Sequence, residues 1–133
     1  MASPSDVFMS LVEGVAAQRW TELSNLYARH TDVRHPMSRT AVPLLSREAV
    51  AQHFAAAAVA AETLRFAAEN IRIHVTNDPE VIVAEFEYRG QNLRSGQGFC
   101  CPCVFVMRVR DGQIVESRDY LDHAAFALAL AAQ

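Results

Sequence analysis

The sequence predicts an α+β protein in which helices come first and a sheet follows. In the first half of the chain apolar residues recur at spacings of three and four, and from residue 65 onward they alternate between turn signals. Helices and strands separated along the chain are typical of α+β domains. A strongly twisted sheet of this size curls, so we expect it to wrap around the helices and to leave a cone-shaped pocket between them.

The N-terminal part is predicted to contain three helices and one early strand. Ser5 is the expected cap of the first helix, and Ser46 is the expected cap of the third. The strand is expected to stop at Pro36, and a polar loop then leads to residue 45. The expected elements are helices over residues 6–17, 20–28 and 46–63, and a strand over residues 31–37.

The C-terminal part is predicted to be an antiparallel meander. Asn77-Asp78-Pro79 indicates one turn, and Asp111-Gly112 is a strong hairpin signal. The expected strands cover residues 65–76, 81–89, 99–110 and 113–122, and a helical tail covers residues 124–132.

Composition limits the classes of function. The chain has 133 residues, 51% of them hydrophobic, and a net charge of −3, which indicates a single domain over residues 1–133 and disfavours nucleic acid as a partner. All 12 basic residues are arginines, so lysine Schiff-base chemistry and phosphate-loop lysines are excluded. The alanine-rich, lysine-free composition is typical of a GC-rich bacterial genome.

Cysteine usage and apolar runs indicate the compartment. No run of about 18 apolar residues occurs, and the N-terminus lacks the basic and apolar regions of a signal peptide. Cys100, Cys101 and Cys103 are an odd, clustered set, which fits reduced thiols rather than a disulfide framework. Without a fourth ligand they do not form a structural zinc site. We therefore expect a soluble cytoplasmic protein with no membrane partner, metal or organic cofactor.

Residues 103–122, which include Arg118-Asp119-Tyr120, resemble a signature of the nuclear-transport-factor-2-like superfamily, and above all of its SnoaL-like group. Residues 26–36 and 46–54 are similar to the helix, strand and helix of that family, and residues 75–87 are similar to its middle hairpin. The group includes polyketide cyclases, phenazine-pathway proteins and relatives of limonene-epoxide hydrolase. The resemblance implies a cone-shaped fold with a curved mixed or antiparallel sheet around three N-terminal helices. Because the family contains isomerases, cyclases, hydrolases and non-enzymatic binders, it does not fix the activity.

Asp119 is the first candidate catalytic residue. Alternation along the last strand places Val115, Ser117, Asp119 and Leu121 on one face, and Ile114, Glu116, Arg118 and Tyr120 on the other. The resemblance implies that the acidic residue of this motif lies inside the cone. A carboxyl group in an apolar pocket has its neutral form favoured, which suits a general acid or base near neutral pH. The alternative is a solvated or arginine-paired side chain near a strand end.

His35 is the second candidate. It shares a strand face with Val33, and in the resembling epoxide hydrolases an amide at about this position helps to hold the attacking water. His35 could therefore orient substrate or water, or exchange protons with Asp119. The alternative is a hydrogen-bonded loop anchor. The histidines at 30, 53, 74 and 123 are expected to be structural or exposed.

Further residues are predicted to line the pocket or to fill the core. Residues 84–88 lack the Arg-x-Asp pair of the epoxide hydrolases, while Glu85 and Glu87 share a face. One glutamate could be a second pocket carboxylate, or both could lie on the outer face of the sheet. The predicted substrate-binding set is Ser117, Leu121, Cys103, Phe105, Met107, Glu85 and Trp20, for several of which core packing is the alternative.

Two main functional hypotheses follow. The first is an enzyme that acts on a small, largely apolar metabolite by general acid and base catalysis, similar to a polyketide cyclase or an isomerase. The second is a binding or assembly module on the same fold that performs no turnover, and epoxide-hydrolase-like water addition is a further alternative. The resemblance also implies a homodimer that pairs through the outer face of the sheet, near Tyr120, Arg118 and Arg108.

Overall fold

Six strands form one curved, open sheet in the computed structural model, which describes residues 1–131. The strand order is β2-β1-β6-β5-β4-β3, and every neighbouring pair is antiparallel except β1 and β6, which are parallel. The predicted α+β class is therefore confirmed. The elements are α1 (Pro4–Ala16), a 3₁₀ turn (Leu23–Leu26), β1 (Tyr27–Arg34), β2 (Leu44–Ser46), α2 (Arg47–Ala60), β3 (Leu64–Val75), β4 (Val81–Asn92), β5 (Gly98–Arg110), β6 (Gln113–Leu121) and α3 (His123–Ala131).

Helix α1 packs its apolar stripe against the concave face of the sheet. Its cap is Ser3 rather than the predicted Ser5, because Ser3 and Asp6 form a reciprocal capping box and Pro4 occupies the first turn. Phe8 is fully buried, and its ring lies 5.2 Å from that of Phe86. This contact ties the helix to the middle of β4.

The second predicted helix is only one 3₁₀ turn, and the early strand begins sooner than predicted. Tyr27 already pairs with Ile114 of β6, and Val33 pairs with Ser117 of the same strand. Strand pairing across the sheet overrides the local helical pattern, which is why periodicity alone misplaced this boundary. The third α-helix is instead supplied by the C-terminal tail.

Strand β2 was not predicted, but the cap that follows it was. Ser46, the last residue of β2, pairs antiparallel with His30 of β1 and caps α2, which begins at Arg47. The Oγ atom of Ser46 accepts a hydrogen bond of 3.0 Å from the backbone N–H of Ala49, as the sequence predicts. The tail helix agrees with the prediction up to residue 131, and residue 132 lies outside the described residues. No helix in the described part of the chain is long and apolar enough to cross a membrane.

A β-bulge in β6 changes which residues face the core. Arg108 pairs with Glu116, but the next residue, Val109, pairs with Ile114, so Val115 is the extra residue. Ile114 consequently joins the buried concave face, and its predicted place on the outer face is wrong. Beyond the bulge the alternation is regular, and Ser117 and Asp119 both point inward.

Candidate functional site

A cavity of about 420 Å³ lies between the concave face of the sheet and helices α2 and α3. Its volume falls in the usual range for small-molecule sites. Most of the wall is apolar, and includes Trp20, Val33, Phe54, Phe66, Phe105 and Phe126. Polar groups are few, so each of them acts in surroundings from which much of the water is excluded.

Asp119 lies in the cavity wall on β6, opposite Phe105 of β5. Its side chain is 9% exposed, and Ser117 donates a hydrogen bond to its Oδ1 atom. Burial raises the pKa of Asp119 to about 7, although the hydrogen bond from Ser117 acts in the opposite direction. The carboxyl group is therefore close to half-ionised at neutral pH and can both accept and donate a proton.

His35 follows directly after β1 and lies beside the carboxyl group. Its Nε2 atom is 3.8 Å from Oδ2 of Asp119, beyond hydrogen-bonding distance. Burial, together with the neighbouring His53 and His123, lowers the pKa of His35 to about 4. The imidazole is therefore neutral near pH 7, and the two side chains do not form an ion pair there.

Two more histidines lie in the cavity wall, although the sequence analysis expected them to be structural or exposed. The ring of His53 on α2 lies 5.0 Å from that of His35, and the ring of His123 on α3 lies 6.3 Å from it. Both belong to helices that cover the open side of the sheet, so only the packing of those helices brings them to His35. Among residues 1–131, no group of three or more His, Cys, Asp or Glu side chains is arranged to hold a metal ion.

The predicted substrate-binding residues divide into three groups. Trp20, Phe105 and Leu121 line the cavity. Ser117 is buried behind Asp119 and reaches the site through its hydrogen bond. Cys103 and Met107 share the inward face but are buried in the core and do not line the cavity, because α1 and the neighbouring strands cover them.

Glu85 and Glu87 lie on the convex face of the sheet, and the prediction that Glu85 lines the pocket is wrong. Alternation along β4 turns Ala84, Phe86 and Tyr88 inward and the two glutamates outward. Oε2 of Glu85 is 2.6 Å from Nε2 of His74, and both side chains are about half exposed. Neither glutamate can therefore act together with Asp119 on a molecule in the cavity.

The sequence analysis missed two tyrosines of the site. Tyr27 and Tyr88 line the cavity and are 2% and 7% exposed. Tyr27 falls in the predicted helix over residues 20–28, which does not form, and Tyr88 falls in the predicted strand over residues 81–89. The inward alternation of Phe86 and Tyr88 was the available signal for the second tyrosine.

A family model described as a SnoaL-like domain matches residues 9–117. No curated protein matches the chain significantly. The match covers most of α1, all of α2 and most of the sheet, including Ser117, and it ends just before Asp119, so α3 lies outside it.

Solved structures share the fold at low sequence identity. A protein from Bacillus subtilis, provisionally described as an isomerase, superposes with a TM-score of 0.83 and 14% identity over 97% of this chain and 93% of its own. A protein from Xanthomonas campestris, provisionally described as a polyketide cyclase, superposes with a TM-score of 0.74 and 15% identity over 96% of each chain. A protein from Anabaena variabilis, described as nuclear-transport-factor-2-like, superposes with a TM-score of 0.70 and 19% identity over 87% of this chain and 84% of its own. The predicted cone-shaped fold is thereby confirmed.

Proposed function

The chain belongs to the SnoaL-like family, and on this premise we propose that it is an enzyme that moves a proton on a small, largely apolar molecule held in the cavity. The observation that carries the proposal is the pKa of Asp119, about 7, in a wall that is otherwise mainly apolar. A group whose pKa lies near the working pH is the most effective general acid or base. The structural neighbours described as an isomerase and a polyketide cyclase point to the same class of chemistry.

In the proposed reaction, the ionised carboxyl group of Asp119 removes a proton from a carbon atom next to a carbonyl group. The C–H bond breaks, the proton binds to Asp119, and the electron pair passes to the carbonyl oxygen. In a substrate whose C=C bond becomes conjugated with the enolate, return of the proton from Asp119 to the far carbon of that bond gives an isomerisation. Attack of the enolate carbon on a second carbonyl instead gives a cyclisation, in which the new C–C bond leaves an alkoxide that takes the proton back from Asp119. Exclusion of water by the apolar wall strengthens the electrostatic interactions on which these steps depend.

The role proposed for neutral His35 is to orient the substrate beside Asp119. Water addition to an epoxide is less well supported, because the lining residues include neither a second carboxylate nor an arginine within the described part of the chain. Pairing of two subunits through the convex face remains a prediction.

Deuterium exchange tests the proposal without knowledge of the natural substrate. Apolar monocyclic and bicyclic ketones are incubated with the protein in D₂O, and deuterium uptake at the carbon next to the carbonyl is followed by mass spectrometry. We expect the protein to accelerate uptake, and Asp119→Asn to reduce the acceleration by about 10²-fold or more. Glu85→Gln makes the same chemical change on the convex face and should leave the rate unchanged. Ketones that bind without any protein-dependent exchange would instead support the non-catalytic binding module.

A further inference from the structure

Three histidine rings meet at one place in the cavity wall, although they come from three different elements. His35 follows β1, His53 lies in the middle of α2, and His123 is the first residue of α3. The ring of His35 lies 5.0 Å from that of His53 and 6.3 Å from that of His123. Of the three, only His35 has a role in the proposed reaction.

The ring nitrogens of these histidines make no hydrogen bond to another residue in the part of the chain that the structure describes. For His35 the neighbouring acceptor is Oδ2 of Asp119, at 3.8 Å from Nε2. Nε2 of His123 is fully enclosed and lacks a partner among residues 1–131. Polar groups removed from water are normally hydrogen-bonded, because the contacts that they lose must be replaced. The cluster therefore has hydrogen-bonding capacity that the protein's own described residues do not use.

The protonation state of the rings indicates which chemical group they match. Burial contributes to lowering the pKa of His35 to about 4, and it also lowers the pKa of His53. Both rings are therefore neutral near pH 7, and each has one N–H donor and one acceptor nitrogen. A hydroxyl group likewise both donates and accepts. A carbonyl or ether oxygen only accepts and a protonated amine only donates, so either would satisfy just one kind of ring nitrogen.

The polar and apolar parts of the cavity lie toward different sides of the sheet. His35 follows β1 and Asp119 belongs to the neighbouring strand β6, whereas Phe66 belongs to β3 at the far edge. Helix α3 spans the two parts. It begins at His123 beside His35, and it places the ring of Phe126 5.3 Å from that of Phe66. A molecule that fills the cavity therefore needs a polar group at one end and an apolar body.

We infer that His35 and His53, with His123 beside them, form a subsite for a hydroxyl group carried by an otherwise apolar substrate. This hydroxyl subsite rests on the proposed function for the identity of the substrate cavity, and it adds the chemical class of the substrate. The ring separations allow one oxygen atom to lie about 2.7–3.0 Å from a nitrogen of each of two rings. No arginine lines the cavity in the described chain, so an anionic group would face Asp119 without a cationic partner.

Nitrogen NMR spectroscopy with trans-2-decalol tests the hydroxyl subsite directly at pH 7. The ring ¹⁵N signals of the five histidines report the hydrogen bonds of each ring, and single histidine variants assign them. We expect trans-2-decalol to shift the signals of His35 and His53. The signals of His74 should stay unchanged, because that ring lies on the convex face beside Glu85.

An affinity comparison separates hydrogen bonding from the filling of space. Trp20, the one tryptophan in the chain, lines the cavity and reports binding by its fluorescence. The second ligand is trans-2-methyldecalin, in which a methyl group replaces the hydroxyl. His53→Leu should weaken binding of the alcohol by about 2- to 12-fold, the equivalent of one hydrogen bond, without weakening binding of the hydrocarbon.

His74→Leu is the matched control, because it removes a half-exposed histidine from the convex face. It should change neither affinity. Circular dichroism spectra and thermal unfolding establish that both variants fold.

Three results would overturn the inference: no binding of the alcohol, bound alcohol that leaves the His35 and His53 signals unchanged, or equal losses of affinity for both ligands in His53→Leu. None of these measurements requires turnover. Asp119-dependent deuterium exchange without any change in the histidine signals would reject the hydroxyl subsite and retain the proposed function. Histidine-dependent binding of the alcohol without exchange would do the reverse.

Discussion

Nε2 of His35 lies 3.8 Å from Oδ2 of Asp119, and burial shifts the pKa values of the two groups in opposite directions, to about 4 and about 7. Each shift favours the neutral form, because a low-dielectric environment penalises either charge. Between these two pH values the pair is therefore neutral. A molecule that enters the cavity meets a protonated or half-ionised carboxyl group beside an uncharged imidazole, which suits proton transfer to and from carbon.

The two shifts should have opposing effects on stability. The pKa of Asp119 rises from 3.8 in the unfolded chain to about 7, so its contribution to stability is full below pH 3.8 and is lost as the pH rises toward 7. The pKa of His35 falls from 6.5 to about 4, so its contribution is present above pH 6.5 and is lost as the pH falls toward 4. Relative to wild type, Asp119→Asn should gain stability as the pH rises from 4 to 7.

His35→Gln should show the opposite trend. Its stability relative to wild type should be higher at pH 4 than at pH 6.5, because wild type loses the contribution of His35 as the pH falls. Urea unfolding of the three proteins at several pH values measures these differences. Parallel stability curves for wild type and both variants would contradict the assigned shifts. His74→Gln, on the exposed convex surface, is the control for the loss of a histidine.

Ser117→Ala should raise the pKa of Asp119 still further. Ser117 donates to the ionised carboxyl group in a buried site, so its loss disfavours the charged form. A hydrogen bond to a charged group contributes about 1.5–3 kcal/mol, which corresponds to a rise of about 1–2 pH units. A ¹³C NMR titration of the Asp119 carboxyl, identified by its absence in Asp119→Asn, measures the change.

Ser10→Ala, on the exposed side of α1, should leave that titration unaltered. An unchanged or lower pKa in Ser117→Ala would show that the hydroxyl does not stabilise the carboxylate.

Gly90→Ala should strongly destabilise the fold. A Cβ atom at residue 90 would lie 1.9 Å from the carbonyl oxygen of Arg65 and 2.6 Å from Cα of Phe66, and backbone atoms cannot move aside as a flexible side chain can. We expect a loss of about 3 kcal/mol or more in the free energy of unfolding, together with weaker ketone binding, because Phe66 lines the cavity.

Gly98→Ala is the matched substitution, since its Cβ would meet only the carbonyl oxygen of Gly90, at 3.6 Å. Its effect on urea unfolding should stay within about 0.5 kcal/mol. Equal stability of the two variants would show that β3 and β4 can separate without cost.

The sequence by itself determined the order of the meander, the helix that begins after Ser46, and the strand face that Asp119 shares with Ser117 and Leu121. Each of these depends on local information: a turn signal, a capping side chain, or alternation within one strand. The tertiary structure alone decided the rest of the site. His53 and His123 meet His35 because α2 and α3 close over the sheet, and Tyr27 joins the wall because pairing with β6 extends β1. Such contacts join residues distant in sequence, and periodicity within one segment holds no information about which segments will pack together.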